Sequence, residues 1–155
     1  MSSDLKFKFG EMESGWLPIT ITTPKASIDI DASDVPIDPI GELIKAVENS
    51  CIYGQKSEAW LHLEPHFYKI SFTPESNQVK LSVSFIEIRQ SITSPGNEEK
   101  REREDLSYSC HQQKLLTAFW RGLKEFSSRV SWYRNDVARL ECKVNEYKKY
   151  KRVKS

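Results

Sequence analysis

The chain has 155 residues, the size of one unit built around a single core. With 38% hydrophobic and 29% charged residues it belongs with folded soluble chains rather than disordered ones. Its 23 basic and 22 acidic side chains nearly cancel, so no global field singles out nucleic acid or a membrane surface as partner.

The first 90 residues read mostly as strands. Phe7 and Phe9 alternate with Lys6 and Lys8, and Gly10 through Gly15 offers a turn. Trp16, Ile19 and Ile21 continue among Thr20, Thr22 and Thr23, a β-branched run closed by Pro24. Ile28 and Ile30 then alternate with Ser27, Asp29 and Asp31. Short turns between short strands predict an antiparallel meander.

The period then changes. Asp38 is placed to cap a helix with Pro39 at its first position. Ile40, Leu43, Ile44, Val47 and Cys51 follow at spacings of three and four, predicting a helix over 39–52. Three further strands are expected: Ala59 to Glu64, Phe67 to Phe72, and Val79 to Ile88, with Pro74-Glu75-Ser76-Asn77 as a turn. Residues 93–105 contain no aliphatic or aromatic side chain and end in an unbroken charge run, Glu98 to Asp105. This stretch reads as an exposed linker. Beyond it, Leu116, Phe119, Leu123, Phe126 and Val130 set a helix over 106–130, and Val137, Leu140, Val144 and Tyr147 a second over 136–150. The expected fold is therefore α+β and a single domain over 1–155. One antiparallel sheet of about six strands carries an inserted helix, and two C-terminal helices pack on one face.

Motifs of catalysis are missing from the sequence. It holds no G-x-S-x-G, no P-loop, no G-x-G-x-x-G and no H-E-x-x-H. Cys51, Cys110 and Cys142 are odd in number and far apart, so they form no disulfide framework and no zinc-ligand spacing. His62 and His66 are four apart, but Pro65 lies between them and the surrounding alternation is that of strands. No enzyme, metal or cofactor is expected. No apolar run approaches the ~20 residues that span a bilayer. Met1-Ser2-Ser3-Asp4-Leu5-Lys6 lacks the pattern of a signal peptide, so the cytoplasm is the expected location.

The near-neutral total hides a polarised chain. Residues 1–110 hold 11 basic and 18 acidic side chains, and residues 111–155 hold 12 and four. Asp29, Asp31, Asp34, Asp38 and Glu42 lie close together around a strand end and a helix start; Lys148, Lys149, Lys151, Arg152 and Lys154 crowd the other end. Helix dipoles account for part of this, since carboxylates favour helix N-termini and cations C-termini. The acidic group is also a candidate docking surface for a basic protein, with Trp16 or Trp60 as aromatic anchor. The alternative is nucleic-acid binding through the basic C-terminal helix.

Asp38-Pro39-Ile40-Gly41-Glu42-Leu43-Ile44-Lys45-Ala46, followed by Glu64-Pro65, resembles a layout found in small bacterial proteins, most of them uncharacterised. These combine an N-terminal meander, an inserted helix beginning D-P, an E-P strand junction and two C-terminal helices. Some proteins of this layout are immunity proteins, which bind and block a toxin domain delivered by a neighbouring cell. The resemblance covers residues 5–90 and, more loosely, the helices. It implies a non-enzymatic inhibitor of a cognate toxin domain, and the acidic cluster adds the expectation that this domain is basic.

Overall fold

The computed structural model describes residues 4–35, 37–90 and 96–154, with side chains as far as residue 149. In it the early alternation becomes three antiparallel strands, β1 (Lys6–Phe9), β2 (Trp16–Thr22) and β3 (Ser27–Ser33), in that spatial order. Phe7 faces Ile21, Phe9 faces Ile19, and Ile19 faces Ile30, so one face of this sheet is wholly apolar and buried except for the half-buried Ile28. Asp38 caps α1 (Pro39–Cys51), its carboxylate accepting from the Ile40 amide at 3.0 Å. The buried stripe of α1 is the one its sequence spacing predicts, Ile40 through Cys51.

The chain is α+β, but its strands form two sheets rather than one. Four more strands, β4 (Ser57–His62), β5 (Phe67–Glu75), β6 (Gln78–Gln90) and β7 (Glu98–His111), make a second antiparallel sheet in sequence order. The described residues form seven strands, where about six were expected. The reason for the split is α1. It separates β3 from β4 in the chain and packs its apolar stripe against β4 and β5, so the meander stops at β3 and a new sheet begins at β4.

The charge run expected as an exposed linker is a strand. Residues 98–105 are the first half of β7, while residues 93–95 lie outside the described residues. β7 pairs with β6 along its length, and β6 extends past the end of β5, whose pairing stops at Phe67 opposite Ile86. That overhang, Glu87–Gln90 against Glu98–Arg101, is a two-stranded ribbon with no core to cover, so neither of its faces needs an apolar period, and Glu102–Glu104 continue it as the exposed edge of the sheet. Opposite charges meet across the ribbon instead: Glu87 faces Arg101 and Arg89 faces Glu99. A register shift between Val83 and Ser84 leaves Asp105 as the extra residue, and beyond it the strand turns inward. Leu106 and Cys110 are buried on one face, with the half-buried Tyr108 between them.

The helix expected over 106–130 accordingly starts later. α2 spans Gln112–Val130, and His111 caps it by accepting from the Gln113 amide through Nδ1 at 3.1 Å. α3 spans Arg134–Lys154 rather than 136–150. α2 lies along β1, with Phe119 edge-on to Phe7 and Phe9 at 5.4 and 6.0 Å, and Phe126 6.0 Å from Phe9. Leu140 and Val144 of α3 join them in one buried cluster with both sheets and α1.

Candidate protein-interaction surface

The two outer sheet faces and the turns between elements carry the polar chemistry. On the three-stranded sheet, side chains at paired positions share a face. Lys8, Thr20 and Asp29 form one exposed row, and the Thr20 hydroxyl donates to Asp29 at 2.8 Å. Asp29 thus sits beside a lysine, in a row of mixed charge. The next row holds Pro18 and Asp31, and Trp16 follows on the same face.

There the carboxylates gather. Glu11, Glu13, Trp16, Pro18 and Asp31 line a shallow depression of roughly 550 Å³. The Glu13 and Trp16 backbones exchange two hydrogen bonds of 2.9 Å, which fixes the turn and folds its acids toward the strand. Glu11, Glu13 and Asp31 make no ion pair among the described residues. Glu11 does lie close enough to Arg129 to be felt by its charge. Sequence reading placed Trp16 and Asp31 as candidates and missed Glu11 and Glu13. Their signal was their position as two acids in the glycine-bounded turn beside Trp16.

Asp34 and Asp38 turn elsewhere. Besides capping α1, Asp38 accepts from the Tyr133 hydroxyl at 2.5 Å, joining the α1 start to the α2–α3 turn. Asp34 sits against Gly15, whose carbonyl accepts from the Asp34 amide at 2.9 Å, and its Oδ1 is buried with no partner among the described residues. Burial, the hydrogen bond to Asp38 and the charges of Asp38, Asp136 and Asp34 push the Tyr133 hydroxyl pKa up. Glu42 stands half-buried in the first turn of α1, where the helix dipole favours it. The five predicted carboxylates are therefore split among three settings.

Trp60 belongs to the other sheet. Its ring meets Phe67 edge-on at 5.7 Å, Lys69 Nζ stands 5.8 Å from its centroid, and His62 lies 4.7 Å from Phe67. Lys69 is in turn ion-paired with Glu102 on β7. Of the basic C-terminal segment, Lys148 and Lys149 are exposed, and the side chains beyond lie outside the described residues. Tyr147 donates its hydroxyl to the Cys51 carbonyl at 3.2 Å, so it is tied to the fold rather than free to stack on a base. Arg139 of α3 pairs with Glu48 of α1 at 2.5 Å, and Lys114 of α2 with Asp4 at 2.7 Å. Part of the charge polarity is thus neutralised inside the fold.

Among the described residues, no group of three or more His, Cys, Asp or Glu is placed to hold a metal ion, and no helix is long and apolar enough to cross a membrane. No family model matches the chain, and no curated protein matches it. Among solved structures, the chain is similar to one from the CdiA-CT/CdiI toxin and immunity complex of Enterobacter cloacae. The two are 13% identical, with 80% of this chain and 99% of that one covered and a TM-score of 0.47.

Proposed function

We propose that this chain is a non-enzymatic protein-binding module, an immunity protein that acts in the bacterial cytoplasm by covering the basic working surface of a toxin domain. The observation that carries this reading is the depression around Trp16, where Asp31, Glu11 and Glu13 present carboxylates with no ion pair among the described residues around a half-buried indole. A toxin that acts on nucleic acid carries cations where phosphates bind, and carboxylates can take the place of those phosphates. Long-range attraction between such surfaces speeds encounter and sets orientation, while the aromatic anchor slows release.

An immunity protein is needed wherever its toxin can act, so its gene belongs beside that of a secreted toxin. The test is binding of this chain to the C-terminal domain of the protein encoded next to it. The expected result is a stable complex and loss of toxicity. Asp31→Lys with Glu13→Lys should slow association about tenfold or more at low salt while the circular dichroism spectrum is unchanged. Absence of a complex with the wild-type chain would overturn the reading.

A further inference from the structure

Four turns from distant parts of the sequence meet at one end of the molecule. Asp34 N–H donates to the Gly15 carbonyl, which joins the β3–α1 loop to the β1–β2 turn. Ser33, paired with Trp16 across the sheet, places its hydroxyl 3.5 Å from Glu64 Oε1 and so reaches the β4–β5 turn. The hydrogen bond from Tyr133 to Asp38 brings in the α2–α3 turn. Loops held together on a rigid scaffold are the usual carriers of binding function.

This end also holds three of the four large apolar side chains that are exposed among the described residues: Val35 at 62%, Ile37 at 40% and Trp132 at 50%. Two of them flank the start of α1, and the third adjoins Tyr133. Scattered exposed apolar residues are ordinary, but a group of them rimmed by polar residues marks an interaction surface. The rim is acidic. The four turns carry Glu11, Glu13, Asp34, Asp38 and Glu64, and the first turn of α3 adds Asp136, which is ion-paired with Arg139 at 2.7 Å. The cations beside them are engaged within the fold: Arg134 is bonded to the Ser131 hydroxyl at 3.0 Å, Arg139 pairs with Glu48 and Asp136, and Arg129 donates to the Phe9 carbonyl.

On the binding-module reading, we infer that this end is the core of the interface, with Val35, Ile37 and Trp132 as its apolar centre and a basic protein surface as its occupant. Charge complementarity selects that occupant. A second copy of this chain would set the carboxylate rim against itself in any two-fold contact. A basic surface with an apolar residue at its middle satisfies both parts of the patch at once, its cations on the rim and its side chain against Trp132.

Two measurements separate this inference from the reading it rests on. In the first, a short peptide of alternating arginine and leucine is titrated into the wild-type protein and followed by amide-resolved NMR. Shifts should concentrate in the four turns and disappear in Trp132→Ala. A footprint elsewhere, such as around Trp60, or none at all, would overturn the inference whatever the toxin assay gives. In the second, Trp132→Ala and Ile37→Ser are assayed against the neighbour-encoded domain. Each should weaken binding about tenfold or more, chiefly through faster dissociation that salt does not rescue. If both variants bind like the wild type while the Asp31/Glu13 reversal does not, binding stands and this centre falls. Self-association of the free protein, lost in Trp132→Ala, would make the occupant a second copy and also overturn the inference.

Discussion

Arg129 Nη2 donates to the backbone carbonyl of Phe9, 120 residues away in sequence. β1 is an edge strand of its sheet, so its outward carbonyls lack a strand partner. α2 covers that edge, and Arg129 satisfies one of the groups left over. Arg129→Ala should lower unfolding free energy by about 1 kcal/mol in denaturant titrations, because the Phe9 carbonyl loses its partner at a largely covered site. The Arg129–Glu125 pair on the same helix is half-exposed, and Glu125→Ala should cost less than about 0.5 kcal/mol. Equal losses in the two variants would mean that the edge contact contributes nothing.

Gly122 makes the close approach possible. A Cβ there would lie 2.2 Å from the Phe7 carbonyl oxygen, a backbone atom that cannot swing aside. Helix propensity alone would favour alanine by about 1 kcal/mol. The clash must win, since relieving it moves α2 off β1 and disturbs Phe119 against Phe7. Gly122→Ala should therefore destabilise the protein by roughly 1–3 kcal/mol. A raised melting temperature would show that α2 can slide without loss.

Tyr133 makes stability sensitive to alkaline pH. Its raised pKa in the folded state means that the unfolded chain gives up this proton first. The stabilisation is complete below the ordinary tyrosine pKa of about 10 and declines as pH rises through and beyond it. Tyr133→Phe should lose about 1 kcal/mol at neutral pH with the hydrogen bond to Asp38, and should show a smaller fall in stability between about pH 8 and 10.5. Parallel pH profiles for the two proteins would exclude this linkage.

The three thiols should react in two classes. Burial pushes Cys51 up to about 12 and Cys110 to about 11, whereas Cys142 is exposed on α3. The thiolate is the reactive form, so an aromatic disulfide reagent should label Cys142 quickly and the other two only on unfolding. Cys142→Ser should remove the fast phase. A second fast thiol in that variant would show that one of the buried sites opens readily.

The sequence alone determined the elements whose period is imposed by a core. The early meander, the Asp38-capped helix, the strands from Ala59 to Ile88 and the stripes Leu116 to Val130 and Val137 to Tyr147 all carry one apolar face, because each is packed on one side and wet on the other. The charge run Glu98–Asp105 had no such face. It forms a strand through pairing with β6, and nothing in its own composition records that partner. The same limit governed the surface. Asp31 and Trp16 were legible as separate surface candidates, but that they share one face, and that Trp60 lies on the other sheet, comes from the strand register. Asp34 with Gly15, Asp38 with Tyr133, and Ser33 with Glu64 were not legible, because these contacts join turns that are distant in sequence and carry no periodicity. The tertiary structure decided that the meander ends at β3, that α2 seals the β1 edge, and that Val35, Ile37 and Trp132 share one end. In each case a long-range contact, rather than a local preference, selects the arrangement.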